Sequence, residues 1–106
     1  MIVKQIELHN FRNYEGLSLP LSEQVNIFYG DNAQGKTNIL ESIYISAITK
    51  SYRTGKDIEC ISFNNEFFRN EHTYIDESNK DKKLEVEVFL DINNKKQIKE
   101  DNIKVN

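Results

Sequence analysis

Apolar and polar positions alternate from the first residues of the chain. Ile2, Ile6 and Leu8 share one parity with Lys4, the one polar intruder, while Val3, Gln5 and Glu7 take the other. A period of two predicts a strand with one buried face over residues 2–8. His9-Asn10-Phe11-Arg12-Asn13-Tyr14 breaks that alternation, and Gly16-Leu17-Ser18-Leu19 reads as a short second strand. Pro20 ends it or marks a sheet edge, since proline cannot donate to a ladder. The short link between the two predicts an antiparallel hairpin. Leu21-Ser22-Glu23 reads as a turn and Gln24–Tyr29 as a third strand. The period then changes. Ile39, Leu40, Ile43, Tyr44, Ala47 and Ile48 recur at helical spacing and predict a helix over about 37–50. Ile45 falls outside that stripe, and Asn38, Glu41, Ser42, Ser46 and Thr49 take the rest. A helix apolar over more than half its circumference is expected to be buried on more than one side.

After the helix, Ser51-Tyr52-Arg53-Thr54-Gly55-Lys56-Asp57 is a loop by composition, and residues 57–63 fit either a helical turn or a connector. Glu66–Ile75 reads as a strand and Asp76–Asp81 as a polar turn. Leu84, Val86, Val88 and Leu90 alternate with Glu85, Glu87 and Phe89, the pattern of a half-exposed strand. Asn93-Asn94 signals a turn, and Lys96–Val105 one or two further strands with Glu100-Asp101-Asn102 as the turn between them. The second half, about 66–106, is thus expected to be an antiparallel β meander joined to a segment that opens like an α/β nucleotide fold.

Composition narrows the function. With 106 residues, 38% apolar and 29% charged, the chain fits one domain or part of one and no second domain. The net charge of -3 supplies no global basic field for nucleic acid, so a DNA contact requires a local patch or further chain. Cys60 is the single cysteine, which excludes an internal disulfide and reads as a small buried hydrophobe. No apolar run reaches the ~20 residues of a membrane helix. The N-terminal residues interleave charge with apolar positions, unlike a signal peptide. The expected compartment is the cytoplasm.

Against that background one stretch carries chemistry. Gly30-Asp31-Asn32-Ala33-Gln34-Gly35-Lys36-Thr37 fits G-x-x-x-x-G-K-[ST], placed between a predicted strand and a predicted helix. Such a loop turns backbone N–H groups inward, and the helix N-terminus adds partial positive charge. The two glycines let the backbone approach phosphate oxygens where a Cβ would collide. Lys36 is the expected contact to the β- and γ-phosphates and the Thr37 hydroxyl the expected Mg²⁺ ligand, with Asn38 directly behind them. The implied ligand is a nucleotide with β- and γ-phosphates, held with Mg²⁺. The bland alternative is an ordinary glycine-containing strand-to-helix turn.

The other constellations are weaker. An acidic partner for Mg²⁺ would follow an apolar strand, and Asp91 is the nearest candidate, but Glu85 and Glu87 make its strand one-faced rather than buried on both sides. No catalytic residue is assigned. His9 and His72 have no ligand partners at metal spacing and read as structural or surface residues. Lys80, Lys82 and Lys83 surround Asp81 and read as a solvated turn. Arg12 and Arg53 each sit beside a nucleotide-fold element and could approach an anion. Surface exposure, or for Arg12 an ion pair with a carboxylate such as Glu15, is the alternative.

Three blocks in order, Leu8-His9-Asn10-Phe11-Arg12-Asn13-Tyr14, then Gly30–Tyr44, then Ser51-Tyr52-Arg53-Thr54, resemble the N-terminal part of the bacterial RecF family of SMC-like, ABC-type ATPase heads. The resemblance runs to about Lys56 and more loosely through the strands beyond. It implies an α/β P-loop fold with an antiparallel β portion, ATP and Mg²⁺ binding, and slow hydrolysis by the whole protein. It also implies an ATP-dependent homodimer, DNA binding, and cooperation with RecO and RecR in loading RecA at gaps during recombinational repair and the SOS response. It places Arg12, and less firmly Arg53, near nucleotide phosphates. The family's further blocks, a Q-loop glutamine, a signature serine-glycine motif, an acidic strand end, a catalytic acid and a switch histidine, are not visible in this sequence, so the chain is expected to be inactive alone. Two rival readings are the head of another SMC-like ATPase and a nucleotide-independent interaction module with a vestigial loop.

Overall fold

The computed structural model describes residues 2–21, 33–48, 57–76, 78–79, 81–101 and 103–105. The alternating N-terminal segment forms strand β1, Ile2–Phe11, and the next forms β2, Tyr14–Pro20. Helix α1 spans Ala33–Ile48. A 3₁₀ turn at Asp57–Cys60 leads to β3, Phe67–Ile75, then β4, Lys83–Asp91, β5, Lys96–Glu100, and β6, Ile103–Val105. Every pairing among the described strands is antiparallel, and the order is β2-β1-β3-β4-β5-β6. The expected hairpin and the expected meander are therefore one sheet, joined where β1 pairs with β3. The expected strand Gln24–Tyr29 lies outside the described residues.

Two local devices explain where the simple alternation failed. Lys4 is the extra residue of a register shift, since Val3 pairs with Tyr74 but Gln5 with Thr73. A bulge of this kind turns one side chain out of sequence, and Lys4 is exposed while Ile6 and Leu8 are fully buried. Beyond Leu8 the strand does not stop, as the sequence pattern suggested, but runs on to Phe11. Asn10 adopts a left-handed φ of 57°. Asparagine tolerates that conformation, and the twist buries Phe11, which has the opposite parity to Leu8. Pro20 sits at the end of β2, an edge strand, where no ladder donor is needed. The β4–β5 and β5–β6 turns place Asn94 and Asp101 at φ 63° and 52°.

One face of the sheet carries the core. Ile6, Leu8 and Phe11 of β1, Phe68 of β3 and Val86, Val88 and Leu90 of β4 pack with Ile39 and Ile45 of α1, and with Leu21 and Cys60. Phe11 and Phe68 meet edge to face at 5.2 Å.

The helix differs from the sequence expectation in two ways. It begins at Ala33, about four residues early, because Ala33, Gln34 and Lys36 are good helix formers and a single glycine costs only about 1 kcal/mol against alanine. Its buried face also matches the apolar stripe only in part, since Ile39 of the stripe is buried together with Ile45 outside it. Leu40 and Tyr44 are 55% and 44% exposed, whereas Glu41 and Ser42 are 0% exposed. Buried polar groups are costly unless hydrogen-bonded, and these have partners. Ser42 Oγ donates to the Ile39 carbonyl at 2.7 Å, which leaves His72 Nε2, 3.1 Å away, to donate to that oxygen. Ser46 Oγ likewise donates to the Ile43 carbonyl at 2.7 Å and is hydrogen-bonded to the Tyr74 hydroxyl. The helix meets β3 through a polar seam.

The opposite face of the sheet is acidic. Glu7, Glu71 and Glu87 stand directly opposite one another on β1, β3 and β4. Partial burial first, then Glu7 and Glu87, hold the Glu71 carboxyl above the ordinary carboxylate value. Arg69, 3.0 Å from Glu87, offsets part of this charge. Lys99, opposite Glu87 on β5 and 3.9 Å from its carboxylate, offsets more of it. Phe63, 90% exposed on the turn before β3, supports none of the packing described. Phe63→Ser is expected to move the urea midpoint by no more than the equivalent of about 0.5 kcal/mol.

Candidate nucleotide-binding site

The first turns of α1 carry the second half of the phosphate-loop sequence. Ala33 through Thr37 are helical, and Lys36 and Thr37 are half-buried. Gly30, Asp31, Asn32 and Arg53 lie outside the described residues. The first turn of α1 has no acidic residue to cancel the partial positive charge of its free N–H groups. An ammonium, a hydroxyl and the N–H donors of a helix N-terminus together suit a phosphate chain with its divalent cation, so the donor set present fits a nucleoside triphosphate with Mg²⁺.

Beside this helix end lies the β1–β2 turn. Phe11 pairs with Tyr14 across it, so Arg12 and Asn13 are its two central residues, with Arg12 at a left-handed φ of 53°. The main chain of Arg12 is held on both sides. Its N–H donates to the Cys60 carbonyl at 2.6 Å, and its carbonyl accepts from Ser62 Oγ at 2.6 Å. Ser62 N–H donates to the Asn10 carbonyl at 2.8 Å. Residues 57–62 thus brace the turn, and Cys60 is fully buried, as expected of a small hydrophobe.

The Arg12 side chain reaches α1. Nε donates to Glu41 Oε1 at 2.8 Å and Nη2 to Glu41 Oε2 at 3.0 Å, while Nη1 donates to the Glu59 carbonyl at 3.1 Å. The side chain of Arg12 is 18% exposed and that of Glu41 0%. Asn38 Nδ2 donates to Asn13 Oδ1. Both central residues of the hairpin turn are therefore fastened to α1 just behind Lys36 and Thr37. Glu15, suggested above as a partner for Arg12, is exposed on the edge strand instead. The phosphate-loop pattern does not include Glu41. A signal existed, because Asn38, Glu41, Ser42 and Ser46 form a polar stripe at helical spacing within an otherwise apolar helix.

The remaining candidates serve other ends. Asp91 Oδ1 accepts from Asn93 N–H at 2.9 Å and Lys95 N–H at 3.0 Å, which organises the β4–β5 turn. His9 is exposed; His72 is buried, and burial lowers its pKa to about 4. Lys82 and Lys83 are exposed, as a solvated turn requires. Among the described residues no cluster of His, Cys, Asp and Glu could hold a metal, and no helix is long and apolar enough to cross a membrane.

Comparison with known proteins agrees with this geometry. Residues 5–106 match the AAA domain family. The DNA replication and repair protein RecF of Clostridium beijerinckii is 51% identical over 110 residues, covering 100% of this chain and 28% of that protein. The solved structure of the recombination mediator protein RecF with ATP, from the RecFOR pathway, matches with a TM-score of 0.88 at 33% identity over 98% of this chain and 27% of that one. A structure from work on the ATP-driven dimerization of SMC ATPases matches with a TM-score of 0.84 over 98% of this chain and 72% of that one, at 14% identity, a likeness of fold alone. The chain thus spans about 28% of the length of the curated relative. With an antiparallel sheet and, among the described residues, one α-helix opened by a phosphate-loop sequence, the chain belongs to the AAA domain family and has the fold shared by RecF and SMC ATPase heads.

Proposed function

We propose that this chain is the ATP-binding N-terminal segment of a RecF-like DNA repair and replication protein. The observation that carries the reading is the G-x-x-x-x-G-K-T sequence, whose last five residues open α1, in a chain 51% identical to a RecF. Residues 1–106 act as one partial head, with the hairpin and phosphate loop at 1–37 and the meander at about 66–106. The phosphates sit at Gly30–Thr37 and Asn38, with Lys36 as the mobile charge and Thr37 on Mg²⁺. Arg12 adds a guanidinium from the hairpin turn, and Arg53 lies near. In the whole protein, ATP joins two heads, DNA is bound, and RecO and RecR are partners, in the cytoplasm. Identity of 33% to a RecF structure against 14% to an SMC structure favours RecF over another SMC-type pathway.

Calorimetric titration of the chain with Mg·ATP tests this. Lys36→Ala is expected to weaken binding at least tenfold, since a charge-assisted contact is worth about 1.5–3 kcal/mol and tenfold is about 1.4. A wild-type chain that binds no ATP would favour a vestigial loop. Equal affinities in the two chains would remove Lys36 from the site.

A further inference from the structure

We propose that Glu41 is a positioning residue for the nucleotide, holding Arg12 so that its remaining donors face the phosphates at the start of α1. The inference rests on the nucleotide-binding reading above and adds to it a residue that the phosphate-loop pattern does not contain.

Four observations carry it. Glu41 lies four residues after Thr37, so the two share one helix face about one turn, ~5.4 Å, apart. The carboxylate grips the guanidinium at two points, 2.8 and 3.0 Å, which fixes the plane as well as the place of the fork. Nη1 spends one more donor on the Glu59 carbonyl. Of the five N–H groups of arginine, two therefore remain, on a side chain still 18% exposed. Finally, the backbone of Arg12 is held by Cys60 and Ser62, and its neighbour Asn13 by Asn38, so the guanidinium is carried on a braced turn.

The energetics point the same way. A buried ion pair is poor value as a stabiliser, because apolar residues of similar volume serve as well or better. An arginine whose rotamer is already fixed, however, contacts a ligand without the ordering cost a free side chain meets. Lysine could pair with Glu41 but could not present a planar fork beyond it.

The experiment is calorimetry with Mg·ATP on the folded chain, with the folded fraction of each variant measured by circular dichroism at the same temperature. Glu41→Gln is expected to weaken binding by about as much as Arg12→Ala, on the order of tenfold. In an Arg12→Ala background Glu41→Gln is expected to change nothing further, because its effect passes through Arg12. A separate, purely structural contribution would lower affinity again in that background and would overturn the proposal. Wild-type affinity in Glu41→Gln alongside a loss in Arg12→Ala would also overturn it, while leaving the nucleotide site intact. Wild-type affinity in Arg12→Ala would overturn it as well. Absence of ATP binding by the wild-type chain would bring down both the site and this inference. Should Glu41→Gln fail to fold, Glu41→Asp keeps the charge but withdraws the carboxylate by one methylene. The same loss is expected of it, and wild-type affinity would count against the proposal.

Discussion

Arg12→Ala is expected to destabilise the chain by about 3 kcal/mol, the lower end of the ~3–5 kcal/mol found when one partner of a buried ion pair is removed. The lower end applies because the Arg12 side chain is 18% exposed and partly solvated already. The cost arises at Glu41. Its carboxylate is 0% exposed, and alanine at position 12 removes both guanidinium donors from it. Against a total stability of roughly 5–15 kcal/mol for an ordinary domain, this is a large fraction. Chemical denaturation measures it directly. The double variant Arg12→Met/Glu41→Met is expected to lose much less than Arg12→Ala, because no charge is then left buried. A midpoint for Arg12→Ala within about 1 kcal/mol of wild type would mean that the pair is solvated in solution.

The second large effect is pH dependence from His72. Burial between β3 and α1 lowers its pKa from 6.5 to about 4. In the fold the ring is therefore neutral across a range where the unfolded chain binds a proton. Unfolding takes up protons there, so stability rises with pH. The contribution is fully present above about 6.5 and is lost as pH falls toward 4. Its size is on the order of 3 kcal/mol. Glu71 works in the opposite direction, since a carboxyl held above its ordinary value is relieved by acid. Denaturation of wild type and His72→Gln at pH 7 and pH 4.5 separates the two. Glutamine can keep a donor toward Ser42 but does not titrate. The wild type is expected to lose markedly more stability than His72→Gln over that interval, and parallel losses would place His72 in contact with solvent.

Local pattern made much of the fold legible. The period-two runs at residues 2–8 and 84–90 lie within β1 and β4, and Asn93-Asn94 separates β4 from β5; of the expected turn Glu100-Asp101-Asn102, Glu100 still belongs to β5, Asp101 follows it, and Asn102 lies outside the described residues. Such features depend on neighbours within a few residues, so sequence spacing reports them. The phosphate-loop sequence is local in the same sense: eight consecutive residues carry its glycines, lysine and threonine.

What the chain order could not specify is what meets what. The helix periodicity named an apolar stripe, yet Leu40 and Tyr44 of that stripe are exposed and Glu41 and Ser42 are buried. The choice was made by residues distant in sequence. Arg12, 29 residues before Glu41, and His72, 30 after Ser42, supply the hydrogen bonds that let the polar face turn inward. Tyr74, 28 residues from Ser46, completes the seam. Hydrophobic spacing ranks helix faces by transfer cost alone, and that ranking shifts once buried polar side chains of the helix find partners. The bulge at Lys4 and the left-handed Asn10 belong with these, because each changes which side chain points inward only when the neighbouring strand sets the register. Sequence alone thus determined where most of the described strands lie and where the phosphate-loop pattern sits. Tertiary structure decided which polar side chains of α1 are buried and that Arg12 pairs with Glu41, because both depend on pairings between segments far apart in the chain.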